Sequence, residues 1–160
     1  MNVYFTVKHK NVYAYVNDGR YFESSINILQ NQKINVARDG LSGTKCVGDV
    51  VFIYTEFGRW IQSLDPESKC LMVGYNIASK WDYIRTMIPP DCHRSFYCYA
   101  KDLLYEYRKV YKYYPLNLGI INTRIGTHLG IHLADEDTNK HVNFCKKLCT
   151  FELFKTQIGI

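Results

Sequence analysis

Residues Asn2 to Val7 alternate, with Val3, Phe5 and Val7 on one face; Lys8-His9-Lys10-Asn11 interrupts the pattern and Val12 to Val16 resumes it. A period of two is the geometry of a pleated strand, and two such runs around a short polar break predict a β-hairpin. Asn17-Asp18-Gly19 is a strong turn signal, so Arg20 to Phe22 is expected to add a short third strand. A sheet begun this way needs a cover, and 160 residues with 47% apolar content supply one core. The expectation is a single globular domain over residues 1–160. The 15% aromatic content, 14 of the rings being Tyr, argues against disorder.

Further along, Ser24 or Ser25 is expected to cap a helix through Ile26, Leu29 and Gln30. Ala37 to Lys45, with Gly40, Ser42 and Gly43, reads as a loop feeding the β-branched run Val47 to Thr55, taken as a central strand that Gly58 stops. Cys70 to Ile77 is the next strand after the Asp65-Pro66 turn, and Trp81 to Ile88 a short helix ended by Pro89-Pro90. Phe96, Ala100, Leu103, Tyr107, Val110 and Tyr114 recur at spacings of four and three, which predicts a helix over Ser95 to Tyr114 closed by Pro115. His128 to Leu133 is a strand candidate. Asp135 or Asp137 then opens a last helix with the stripe Val142, Cys145, Leu148 or Cys149. The fold class expected is α+β: a mixed or antiparallel sheet, an N-terminal hairpin and two main amphipathic helices.

No apolar run approaches the roughly 20 residues that cross a bilayer, and the first ten residues alternate instead of forming a signal-peptide core. The reading is a cytoplasmic, intracellular protein with no membrane partner and six free thiols at Cys46, Cys70, Cys92, Cys98, Cys145 and Cys149. A net charge of +5 is compatible with a polyanionic partner without requiring one.

The string His132-Leu133-Ala134-Asp135-Glu136-Asp137, entered from a strand and followed by an amphipathic helix, resembles the third motif of the DEDDh exonucleases of the ribonuclease H-like fold. In that family two divalent ions held by carboxylates activate water against a phosphodiester, with the His as general base. The resemblance implies catalytic roles for Glu56, His132 and Asp137, with Glu56 and Asp137 holding Mg²⁺ or Mn²⁺. The family's first strand ends in Asp-x-Glu, whereas Tyr54-Thr55-Glu56 supplies one carboxylate; Asp82 is the candidate middle acid.

Gly48-Asp49-Val50-Val51-Phe52 and Thr127-His128-Leu129-Gly130-Ile131-His132-Leu133 resemble strand motifs of papain-like amidases. That resemblance implies His128 as base and Cys46 as thiol nucleophile. His141, Cys145 and Cys149 repeat every four residues and offer metal ligands, with Cys92 or His93 as a fourth, but the same positions form the apolar stripe of a helix and core packing is favoured. Pro90-Asp91 with Glu106 and Arg108 repeats metal-nuclease spacing only faintly. Gly40 to Lys45 lacks the glycine spacing of a phosphate loop.

Tyr105-Glu106-Tyr107-Arg108-Lys109-Val110-Tyr111-Lys112-Tyr113-Tyr114 interleaves cations with rings, the combination that neutralises phosphates and stacks exposed bases. With Tyr107, Val110 and Tyr114 facing the core, Tyr105, Arg108, Lys109, Tyr111, Lys112 and Tyr113 become the candidate nucleic-acid contacts. The sequence reading is a small viral- or phage-like accessory protein that contacts nucleic acid or nucleotides, with metal-dependent phosphodiester hydrolysis as its catalytic form. The alternatives are a non-enzymatic module gripping a host or viral protein through the same helix, and a papain-like thiol hydrolase.

Overall fold

The computed structural model describes residues 1–27, 35–39, 42–110 and 138–157. The alternating start forms β1 (Asn2–Lys8) and β2 (Asn11–Tyr15), paired antiparallel from Tyr4 with Tyr15 to Lys8 with Asn11. The hairpin turns at His9 and Lys10, both at positive φ (51° and 66°), the two-residue geometry whose twist matches that of the flanking strands. β3 (Tyr21–Ile26) continues the antiparallel ladder beside β2. It is longer than the three residues expected, and the helix anticipated from Ser24 or Ser25 does not start there. The reason is local: Ser24 Oγ accepts from the Val12 amide at 2.8 Å, and Asn11 Oδ1 accepts from Ser24 Oγ at 3.2 Å and from the Ile26 amide at 2.9 Å. Those bonds tie the serine segment to the hairpin and leave it nothing to cap. Leu29 and Gln30 lie outside the described residues.

The glycine-containing segment read as a loop is a second hairpin, β4 (Asn35–Asp39) with β5 (Gly43–Gly48), and β5 runs parallel to β3. A Cβ on Gly43 would collide with the Tyr21 ring, so glycine here serves close strand approach.

The run expected as a central strand, Val47 to Thr55, leaves the sheet at Gly48 and becomes α1 (Val50–Leu64). Asp49 is its N-cap, with Oδ1 accepting from the Phe52 amide at 2.8 Å. Ile53, Tyr54, Phe57, Trp60, Ile61 and Leu64 are buried at spacings of one, three and four, so the apolar period is helical once it is followed past Gly58.

β6 (Cys70–Gly74) is shorter than expected, and α2 (Trp81–Met87) matches its expectation. A 3-10 turn, Pro90–Ser95, then leads into β7 (Phe96–Asp102), which is parallel to β6. The helix expected from Ser95 therefore begins only at α3 (Leu103–Val110). Phe96 and Ala100 satisfy a four-residue spacing and a two-residue spacing equally, and the aromatic Phe-Tyr-Cys-Tyr run favours the pleat. The last helix, α4 (Thr138–Gln157), buries Val142, Cys145, Leu148 and Cys149, the stripe read from the sequence. The strand expected at His128 to Leu133 lies outside the described residues.

The seven described strands form one mixed sheet in the order β4-β5-β3-β2-β1-β6-β7, and the fold is α+β as expected. Alternation sends Val3, Phe5, Val12, Ala14 and Met72 to one face, against α1, α2 and the 3-10 turn. Tyr4, Tyr13 and Val73 go to the other, against α3 and α4. The central strands are thus covered on both sides, and among the described strands β4 and β7 lie at the margins. Among the described residues no helix is long and apolar enough to cross a membrane.

Candidate functional site

β6 and β7 do not pair evenly. Cys70 lies opposite Phe96 and Met72 opposite Ala100, so Leu71 alone faces the three residues Tyr97, Cys98 and Tyr99. Such a bulge re-aims side chains at a sheet margin, and here all three residues are exposed. The Tyr97 and Tyr99 rings stack on each other, with centroids 5.5 Å apart and planes at 29°. Tyr99 keeps 58% of its surface in water and Tyr97 39%. Lys69 Nζ sits 5.8 Å from the Tyr97 centroid, within cation–π range. The bulge is pinned from behind: the buried Trp81 indole donates from Nε1 to the Cys98 carbonyl at 2.9 Å.

Lys101 follows Tyr99 by two residues on β7. Its ammonium lies 3.5 Å from Glu152 Oε2 of α4. The other carboxylate oxygen, Oε1, accepts from Asn2 Nδ2 at 2.7 Å and from the Tyr4 hydroxyl at 3.1 Å. Burial pushes the Tyr4 hydroxyl far above its ordinary pKa, assisted by the Glu152 charge, so it remains a donor. Two exposed phenol rings with one ammonium against them, and a second lysine two residues further along the same strand, can stack an unpaired base and contact its phosphate.

Of the residues expected to carry nucleic-acid contacts, Tyr105 is exposed on α3, and Arg108 and Lys109 lie in the last turn of the same helix. Tyr111, Lys112 and Tyr113 fall outside the described residues. The helix expected over Ser95 to Tyr114 hides this surface, because Tyr97 and Tyr99 lie instead on the strand β7. Its signal was the i, i+2 pair of tyrosines in an aromatic run, the mark of a strand with one face in water.

Of the expected catalytic residues, Glu56 alone is among the described residues. Glu56 lies within α1, not at the end of a strand as the exonuclease resemblance requires, and its Oε1 is 3.5 Å from Arg59 Nη1. His132 and Asp137 lie outside the described residues, and Asp82 is in the first turn of α2. Among the described residues no three His, Cys, Asp or Glu side chains are grouped to hold a metal ion. The Asp102 carboxylate at the end of β7 is spent on backbone. Its Oδ1 accepts from the Asn76 and Leu104 amides at 2.8 and 3.0 Å, and its Oδ2 from Ile77 and Ala78 at 3.1 Å each.

The segment likened to an amidase strand, Gly48 to Phe52, is the end of β5 and the cap and first turn of α1. Cys46 is buried within β5, and burial together with the nearby Glu56 charge pushes its thiol up to about 12, opposite to what a nucleophile requires. His128 lies outside the described residues. On α4, His141 stacks on Tyr13 with centroids 4.6 Å apart, Cys145 Sγ donates to the Tyr13 carbonyl at 3.5 Å, and Cys149 Sγ to Asn17 Oδ1 at 3.5 Å. Each of the three packs against the sheet, as the core reading expects.

No family model matches the chain, and no curated protein matches it.

Proposed function

We propose that the protein binds single-stranded nucleic acid, or nucleotides, through the tyrosine pair of the β7 bulge. The observation that carries this reading is the stacked, water-facing Tyr97–Tyr99 pair with Lys69 against it. Aromatic side chains in water are costly to solubility, and placing two of them side by side with a cation suits a ligand that has both a π face and a phosphate. A folded strand held by Trp81 also presents the rings with little further ordering cost on binding. Six free cysteines, five of them buried, fit a reducing compartment and so an intracellular site of action.

The test is fluorescence anisotropy of a labelled single strand of about ten nucleotides at several salt concentrations. Binding should weaken with salt, and Tyr99→Ala should cost about 1–3 kcal/mol, the range for one base–aromatic stack. Absence of binding at low salt, or binding indifferent to Tyr97→Ala and Tyr99→Ala together, would reject the reading.

A further inference from the structure

The lysine against the Tyr97 ring and the lysine two residues beyond Tyr99 on β7 are not equivalent. No carboxylate of the described residues lies within ion-pair distance of Lys69, whose ammonium stands against the Tyr97 ring. Lys101 is held 3.5 Å from Glu152, and Glu152 is itself fixed by Asn2 and Tyr4. A lysine already neutralised by an anchored carboxylate releases little counterion on meeting a phosphate, because its own charge is compensated before the ligand arrives. We infer that Glu152 is a specificity-determining residue: by neutralising Lys101 it withholds one phosphate contact, so that ligands are selected by base stacking on Tyr97 and Tyr99 more than by backbone charge.

The inference rests on the proposed nucleic-acid reading and names what the same surface prefers, an unpaired base over a charged backbone. Glu152→Gln tests it with minimal disturbance, since the amide oxygen of Gln still accepts from Asn2 and Tyr4 while the negative charge is lost.

The readout is the slope of log affinity against log salt for a single-stranded oligonucleotide. Freeing one lysine steepens that slope by about 0.7, the increment for one additional phosphate contact on a single strand. Low-salt affinity should rise several-fold. Lys101→Met should leave the slope of the parent chain unchanged and should abolish the increment when combined with Glu152→Gln. A merely structural role for Glu152 lowers affinity without steepening the slope. Equal slopes for the parent chain and Glu152→Gln would overturn this inference alone. No binding by either would remove it together with the parent reading.

Discussion

The indole N–H of Trp81 donates to the Cys98 carbonyl at 2.9 Å, joining the first residue of α2 to the middle of the β7 bulge. The ring is also packed in the core, 5.7 Å from Phe5 and 5.8 Å from Phe96 between centroids. Trp81→Phe keeps an apolar ring but removes the donor and part of the volume. The expected loss is about 1–3 kcal/mol, the cost of a part-buried carbonyl left without its partner plus imperfect refilling. Urea unfolding measures it, and oligonucleotide affinity should fall in parallel because the tyrosines lose their backing.

Asp102 performs a larger structural task. Four backbone amides from two segments, the turn after β6 and the start of α3, converge on one carboxylate. They include Asn76, which sits at φ 57° and depends on its surroundings to stay there. Asp102→Ala removes a helix cap and strands three turn amides, and should lower stability by about 2–4 kcal/mol. Asp102→Asn, which keeps one oxygen as acceptor, should recover about half of that in the same denaturation experiment.

The parts of this architecture that depend on local periodicity are legible from the residues: the N-terminal hairpin, the Trp81 helix before Pro89, and the buried stripe Val142, Cys145, Leu148 and Cys149. What misled was the junction between periods. Val47 to Thr55 is apolar enough to satisfy either a strand or a helix, and the arbitrating evidence lay downstream at Trp60, Ile61 and Leu64. Phe96 and Ala100 fit both spacings, and β7 won through its pairing with β6, a contact made across the fold. The tyrosine surface was legible as a composition, rings beside cations, but its location was not. A two-residue bulge depends on how two distant strands register, and no single segment records that.

Gly58 lies inside α1, where Cys92 of the 3-10 turn and Ile88, the residue that closes α2, pack close to its Cα. An added Cβ would stand 2.9 Å from Cys92 Sγ and 3.0 Å from Ile88 Cγ2. Gly58→Ala therefore opposes two effects. Helix propensity favours alanine by about 1 kcal/mol, while overpacking against buried neighbours costs about 1–3 kcal/mol. The clash should prevail, giving a net destabilisation of about 1–2 kcal/mol in urea. Cys92→Ala, which opens the space, should reduce that penalty when combined with it.

The buried thiols make stability depend on alkaline pH. Burial pushes Cys46 up to about 12 and also raises Cys70, Cys92, Cys145 and Cys149, whereas in the unfolded chain each ionises near 8.5. Below that value both states carry the proton, and the stability the thiols contribute is fully present. Above it the unfolded chain loses protons that the folded chain retains, so stability falls by up to about 1.4 kcal/mol per pH unit for Cys46 until its folded pKa is passed, and the other raised thiols add to the fall. The melting temperature should be flat between pH 7 and 8 and drop steeply from pH 9 to 10.5. Cys46→Ala, whatever its cost at neutral pH, should make that drop shallower. At pH 8, iodoacetamide should label Cys98 alone in the folded protein, since it is the exposed thiol and the other five are buried. Mass spectrometry showing a single adduct checks the placement, and early labelling of Cys46 would contradict it.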